Sequence, residues 1–123
     1  MSDADESYPT RLNSDLKEIQ TAINTAIASG PVDQSMIDRI YALLHNTKVQ
    51  GETARFPLVS NICALACGIL QRTKSPDEAI WRAVKAHIDA LAIIAEHNVE
   101  GDGGELGQRM VEELRELGQA VGS

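Results

Sequence analysis

The stretch that decides the fold is SPDEAIWRAVKAHIDALAIIAEH, residues 75–97. Its start is typical of a helix, because Ser75 can cap it, Pro76 suits the first position and Glu78 completes a Ser-x-x-Glu capping box. Apolar residues then recur every three or four positions, as one buried helix face requires. The residues of this face are Ile80, Val84, Ile88, Leu91, Ile94 and Ala95. We therefore predict a fourth helix that ends near His97.

The preceding segment, residues 57–70, is apolar on nearly every side and begins with Pro57, which suits a first helical turn. A helix without a polar face gains most by being surrounded, so we expect this third helix to be the most buried. It carries Cys63 and Cys67, the two cysteines of the chain. A disulfide within one helix would be strained, and tight zinc-ligand spacings are missing. We interpret both as reduced core thiols.

Two more helices are predicted upstream. The first begins at Asn13 or Ser14 and stops at Gly30-Pro31, with a stripe made of Leu12, Leu16, Ile19, Ile23 and Ile27. The second is capped by Asp33 or Ser35 and runs to about Gly51. Its buried stripe consists of Met36, Ile37, Ile40, Leu44 and Thr47.

The two ends of the chain complete the predicted organisation. Residues 1–10 are polar and acidic and include Pro9, so we expect a flexible leader, followed by a single domain over residues 11–120. After the glycine-rich turn at residues 101–104 comes a short last helix, whose predicted face is Leu106, Met110, Leu114 and Leu117. No segment has a convincing strand period. The predicted fold is all-α, an antiparallel four-helix bundle with an additional short C-terminal helix.

Composition narrows the possible functions. A chain of 123 residues is one domain's worth, and its net charge of −7 argues against nucleic acid as a partner. The longest apolar stretches fall well short of the roughly 20 residues that span a bilayer. The start, residues 1–6, is acidic, whereas a secretory signal would be basic and then apolar. We expect a cytoplasmic protein without a membrane segment.

The stretch LHNTKVQG, residues 44–51, holds the candidate for chemistry. At about 100° per residue, His45 points roughly 130° away from the buried stripe and should face solvent, with Lys48 one turn further along. A neutral ring nitrogen can attack a phosphoryl group without a base, and an ammonium would offset the new charge. A solvated surface histidine beside a surface lysine explains the same residues without any function.

The run HNTKVQGETARFPL, residues 45–58, resembles the histidine-containing phosphotransfer (HPt) domain, whose signature is His-x-x-Lys-Gly on the second helix of a four-helix bundle. It looks closest to a bacterial subgroup in which the signature continues through Gln-Gly to aromatic-Pro-Leu. The positions that match this continuation are Gln50, Gly51, Phe56, Pro57 and Leu58. The segments AHIDAL, residues 86–91, and GDGG, residues 101–104, also resemble that subgroup's C-terminal half.

This resemblance implies a function. His45 would accept phosphoryl from an aspartate of one receiver domain and pass it to another, and Lys48 would stabilise the phosphoryl charge. The partners would be response-regulator receiver domains or a hybrid histidine kinase. The receiver would supply Mg²⁺, so the chain itself would need no cofactor or metal. Such a protein is a phosphorelay intermediate rather than a turnover enzyme. We expect Tyr41, Ala42, Val49 and Gly51 to help dock the partner.

Three positions depart from the family pattern, and one of them matters most. Val49 stands where the signature has glycine, on the same exposed face as His45, and could narrow the receiver's approach. Asn46 also replaces a frequent acid, and Thr47 an aliphatic residue. A second expectation therefore stays open, in which a degenerate adaptor or inhibitor binds a receiver or kinase without being phosphorylated. A generic interaction bundle is the third.

The other histidines and acids fit structural roles. His87 lies on the inner stripe of the fourth helix, which favours a hydrogen-bonded core histidine over a ligand or second phosphosite. His97 stands near a helix C-terminus, where a cationic ring complements the dipole. Asp77 and Glu78 belong to a helix start. The turn at residues 101–104 lacks the Lys-Ser/Thr of a phosphate-binding loop.

Overall fold

The computed structural model describes residues 2–29, 34–73, 76–97, 99 and 103–122, and all regular structure within these ranges is helical. The prediction of an all-α chain is therefore confirmed. Among the described residues, no helix combines the length and the apolar character needed to cross a bilayer. The described residues form five helices, which are α1 (Ser2–Ser29), α2 (Gln34–Thr53), α3 (Pro57–Arg72), α4 (Glu78–His97) and α5 (Gly104–Gly122).

The packing of the helices defines one continuous core. Helices α1 and α3 each contact both α2 and α4, and α5 lies against α3 and α4. The interior is mainly aliphatic, as expected from few aromatic residues. Its largest side chain is the single tryptophan of the chain, Trp81, which is 2% exposed. The indole N–H of Trp81 has no hydrogen-bond partner among the described residues.

Helix α3 is the most buried helix, as its sequence predicts. Nine of its 16 residues are buried, against ten of 20 in α4. It begins at Pro57, the residue proposed for its first turn. Cys63 and Cys67 are free, buried thiols. Burial raises the pKa of both, that of Cys67 to about 11, so each stays protonated and behaves as a small apolar side chain.

The connection between α2 and α3 is a tight helix ending. Phe56 N–H donates to the Gly51 carbonyl over 2.8 Å, and Arg55 N–H donates to the Glu52 carbonyl over 3.5 Å. These two bonds form a Schellman motif, in which Arg55 occupies the left-handed position that usually belongs to glycine. Its φ is 71°, the one positive φ among the described residues other than glycine. The motif turns the chain so that Phe56 enters the core.

The N-terminal prediction is wrong in its boundary. Helix α1 begins at Ser2, not at Asn13 or Ser14, and contains Pro9. Tyr8 is buried and packs on Phe56, with ring centroids 4.8 Å apart. Because Phe56 lies far along the chain, the local pattern around Pro9 gave no sign of this contact. Burial raises the pKa of Tyr8 to about 12.

Several predicted helix boundaries, at the end of α1 and at the starts of α2 and α4, fall on residues that the structure does not describe. Asp77 caps α4, since its Oδ1 accepts a hydrogen bond of 2.9 Å from Ile80 N–H, and Pro76 precedes the helix. Ser75, the cap proposed from sequence, lies outside the described residues, as does Asp33 before α2. The predicted stop at residues 30–31 is outside them too.

Helix α5 is longer than predicted and buries a different face. Leu114 is buried as expected, but Leu106 is 71% and Leu117 37% exposed. Gly107 and Gly118 are buried in their place. A Cβ on Gly118 would lie 3.2 Å from the side chain of Ile69, which shows how closely α5 approaches α3. Glycines supply no apolar signal, so the sequence pattern favoured the leucines.

Candidate functional site on helix α2

His45 lies on the outer face of α2 and is exposed, as the helical period predicts. The buried stripe beneath it is formed by residues that point the other way, including Leu44 and Thr47. Thr47 fits this position because its hydroxyl donates to the Leu43 carbonyl over 2.9 Å. A ring presented in this way is open to another protein and can act as a nucleophile through a neutral nitrogen.

Tyr41 supports the imidazole from one turn before. Its ring is nearly parallel to that of His45, with an interplanar angle of 7° and a centroid distance of 6.3 Å. The phenol is held in turn by Gln71, whose Nε2–H donates to the Tyr41 hydroxyl over 2.9 Å. This chain of contacts links α2 to the end of α3. It orients the aromatic neighbour of His45 and leaves the ring of His45 exposed.

Lys48 stands one turn after His45 and is half-buried. Its Nζ lies 3.6 Å from Glu52 Oε2, and the exposed fractions of the two side chains are 31% and 56%. An ion pair of this exposure contributes little to stability, so the ammonium can exchange its carboxylate for a stronger anion at low cost. A phosphoryl group on His45 would be such an anion.

Gly51 and Ser60 fix the backbone under Lys48. A Cβ on Gly51 would lie 3.0 Å from Ser60 Oγ and 3.3 Å from the Phe56 carbonyl oxygen, so a larger residue would force its neighbours on α3 to shift by a few tenths of an ångström. The buried Ser60 hydroxyl donates to the Lys48 carbonyl over 2.8 Å. The turn that carries Lys48 is therefore attached to α3 by packing and by a hydrogen bond.

The predicted docking residues divide between surface and interior. Ala42 is exposed, Val49 is 44% exposed, and Tyr41 is half-buried. Gly51, which we predicted to dock a partner, is buried. Its backbone position is needed for the close approach of α2 and α3, so this part of the prediction is corrected. Val49 remains the largest apolar group on the face that also presents His45.

Sequence reasoning missed the residues that support this face. Glu52, Ser60 and Gln71 hold Lys48, its backbone and Tyr41 respectively. Ser60 gave a usable signal, because a lone serine in an apolar helix has to find a hydrogen-bond partner. Glu52 could have been found from its spacing of four residues after Lys48. Gln71 gave none, since its contact with Tyr41 depends on the packing of two helices.

The other two histidines occupy different environments. His87 is completely buried, and its Nδ1 lies 2.7 Å from the Ala83 carbonyl oxygen, in agreement with the expected core histidine. Burial lowers its pKa. His97 is exposed in the last turn of α4. Within the described residues, no group of three or more His, Cys, Asp or Glu side chains could hold a metal ion.

Comparisons with known proteins leave the family open. The chain matches no protein-family model, no curated protein and no solved structure. The chemistry of the His45 face therefore has to be inferred from its own residues.

Proposed function

We propose that the chain is a histidine phosphotransfer protein of a two-component phosphorelay and that His45 is its phosphoacceptor. The observation that carries this proposal is an exposed imidazole in the middle of α2, one turn before a lysine whose only ion pair among the described residues is weak. The chain would act in the cytoplasm as a relay intermediate between receiver-domain aspartates.

The packing of the helices supports the architecture that this proposal requires. Contacts between α1 and α2, α2 and α3, α3 and α4, and α4 and α1 form a closed ring of four helices. An antiparallel four-helix bundle has this set of neighbours, and α5 would be the addition to it. In such a bundle a residue on the outer face of α2 is accessible to a globular partner.

The transfer step needs little from this chain beyond a correctly presented ring. A nitrogen of His45 attacks the phosphorus of the receiver's aspartyl phosphate, a N–P bond forms, and the O–P bond to the aspartate breaks. The receiver keeps its carboxylate and its Mg²⁺, and the imidazole releases its N–H proton to solvent. Lys48 then turns from Glu52 toward the phosphoryl oxygens.

The exposed apolar surface beside His45 supports docking. Ala42 and Val49 flank the ring on successive turns of α2, and Tyr41 stacks on it. Protein–protein interfaces bury apolar side chains and are enriched in aromatic residues such as tyrosine. A receiver domain would cover these side chains while its phosphorylated aspartate reaches His45.

The test is phosphoryl transfer from a radiolabelled receiver domain. Acid-labile label is expected on the wild type and on His97→Gln, which removes the other exposed histidine, and none on His45→Gln. Label on His45→Gln would refute the assignment of the site. Lys48→Gln should slow transfer by about tenfold, the effect of losing one charge-assisted contact, whereas Lys85→Gln on α4 should not.

A second candidate function is favoured by Val49. Its isopropyl group is 44% exposed on the face of His45, where the resemblance leads us to expect glycine. If it prevents the close approach of the aspartyl phosphate, the chain would act as an adaptor or inhibitor that binds a receiver or kinase without accepting phosphoryl. The same experiment separates the two functions, because the adaptor would bind the receiver in a pull-down assay and acquire no label.

A further inference from the structure

A cavity on another side of the molecule is unexplained by the relay function. It lies between α3, α4 and α5, has a volume of about 250 Å³, and none of its described lining residues belongs to α2. Apolar groups and two glycines form much of its wall. Its polar lining residues include His87, Arg72 and Arg115.

His87, one of the lining residues, carries an unsatisfied hydrogen-bond acceptor. Its Nδ1 is 2.7 Å from the Ala83 carbonyl oxygen, which can only accept, so Nδ1 carries the hydrogen. Because burial lowers the pKa of His87, the ring is neutral and Nε2 keeps a lone pair. This atom is buried and has no partner among the described residues. An unpaired buried acceptor destabilises the folded chain, and the O–H of a ligand would satisfy it.

Two arginines provide the charge at the same cavity. Arg72 Nη1 lies 3.2 Å from the point that a Cβ on Gly68 would occupy, and its Nη2 lies 3.9 Å from the equivalent point on Gly118. The guanidinium therefore extends across two positions without side chains. Among the described residues, neither Arg72 nor Arg115 has a carboxylate within 4.0 Å. Two guanidinium groups therefore line one cavity in a chain of net charge −7.

We propose that this cavity binds a small oxyanion that also carries a hydroxyl group. Arg72 and Arg115 hold the anionic oxygens, since guanidinium matches the geometry of phosphate and carboxylate. His87 Nε2 accepts the hydrogen bond of the hydroxyl group. Hydrogen phosphate and a short hydroxycarboxylate share this chemistry. The cavity has room for either, because one water molecule takes up about 30 Å³ in the liquid.

Matched pairs of ligands test the role of the hydroxyl group on the intact chain. Hydrogen phosphate is compared with sulfate, and glycolate with acetate, by NMR titration at neutral pH. Each second member is an oxyanion without the O–H. The hydroxyl-bearing member of at least one pair should bind about fivefold to tenfold more tightly, as expected for one hydrogen bond. A preference for hydrogen phosphate over sulfate indicates a phosphate site, and a preference for glycolate over acetate indicates a hydroxycarboxylate site.

Three arginine variants test the location. Arg72→Gln and Arg115→Gln should each weaken binding by about tenfold or more, whereas Arg109→Gln, which removes a charge from α5 outside the cavity, should change it little. His87→Phe should remove the preference for the hydroxyl-bearing ligand. If that variant does not fold, the arginine variants and the ligand pairs still decide.

Several results would overturn the proposal. These are the absence of binding by all four anions, equal affinity within both pairs, and equal weakening by Arg109→Gln and the two cavity variants. None of these results depends on phosphoryl transfer at His45, so the cavity and the relay site can fail independently.

Discussion

His45 on α2 and His87 on α4 have the same side chain and opposite surroundings. His45 is exposed, and the backbone of its helix is held firmly by the contact of Gly51 with Ser60. His87 is fully buried and borders a cavity, and one of its ring nitrogens has no partner in the part of the chain that the structure describes. The first region combines an exposed ring with closely packed support, and the second an enclosed ring that borders a cavity.

This difference shows what each histidine can do. An exposed ring on a helix that its neighbours hold in place can react with a group carried by another protein, because the ring meets solvent and its position is fixed. A buried neutral ring resists protonation and reacts slowly with anything in solution. It can still recognise a ligand small enough to enter its cavity. The two sites therefore differ mainly in which molecules can reach the imidazole, and less in the chemistry of the ring itself.

The rates at which the histidines react with a modifying reagent test most directly whether His45 is exposed and His87 is enclosed. With diethyl pyrocarbonate, His45 and His97 should react at similar rates, and His87 on the order of 10³-fold more slowly, because its reaction requires local opening. Peptide mass spectrometry over a time course measures the three rates. In concentrated urea they should converge. A native-state rate for His87 close to that of His97 would mean that the ring is accessible.

Two glycine variants test the contrast in packing. Gly51→Ala should lower the free energy of unfolding by about 1–2 kcal/mol, since its Cβ would crowd a backbone carbonyl and Ser60. Gly68→Ala should instead raise it by up to about 1 kcal/mol, because alanine favours helix and only the flexible end of Arg72 has to move. Urea denaturation followed by circular dichroism gives both values. Equal changes in the two variants would contradict the difference in packing.

The pH dependence of stability should identify the buried ring. The folded-state pKa of His87 lies below the ordinary value of 6.5, so below about pH 6.5 the unfolded chain binds the extra proton first. Stability should fall as the pH drops from that value toward the folded-state pKa, by at most about 1.4 kcal/mol per pH unit. His87→Phe should flatten this part of the curve.

The comparison variant for the pH measurement is His45→Gln, which leaves the buried His87 ring in place. Urea midpoints measured between neutral and mildly acidic pH provide the comparison. If His45→Gln flattens the curve and His87→Phe does not, the assignment of the two environments is reversed.

Arg55→Gly should strengthen the connection behind the His45 helix. Arginine at φ 71° carries the cost of a left-handed conformation, which glycine avoids, so we expect the free energy of unfolding to rise by up to about 1 kcal/mol. Arg55→Ala, which keeps the Cβ, should bring no such gain. Thermal unfolding of both variants measures the effect. A loss of stability in Arg55→Gly would point to a role for the arginine side chain.

Val49→Gly should produce the smallest effect and bears on access to His45. Removing the isopropyl group should speed phosphoryl transfer about twofold to fivefold, if crowding by Val49 slows the approach of the receiver. Val49→Ala separates crowding from added helix flexibility and should give most of the gain. The initial rate of label uptake is the measurement. Unchanged rates in both variants would remove the steric argument.

Sequence reasoning succeeded where a single helix contains the signal. The inner stripe of α4, the start of α3 at Pro57 and the outward position of His45 follow from spacing within one element. The orientation of His87 follows in the same way. These features depend on the helical period and on residue type, which neighbours in space do not alter.

The errors arose where contacts join distant parts of the chain. Tyr8 is buried because it meets Phe56, and that contact accompanies a helix through Pro9. Gly107 and Gly118 face inward because α5 approaches α3 closely, which leaves Leu106 and Leu117 exposed. The cavity beside His87 was equally unpredictable, since three helices have to assemble before it exists.

The enclosed position of Trp81 has a practical consequence. As the single tryptophan of the chain, 2% exposed, it supplies an intrinsic fluorescence signal from the middle of α4. Its emission should lie at short wavelength in the native protein, because water does not reach the indole, and should shift to the red on denaturation. Since α4 contacts α1, α3 and α5, this one optical probe reports the loss of most of the core without any attached dye.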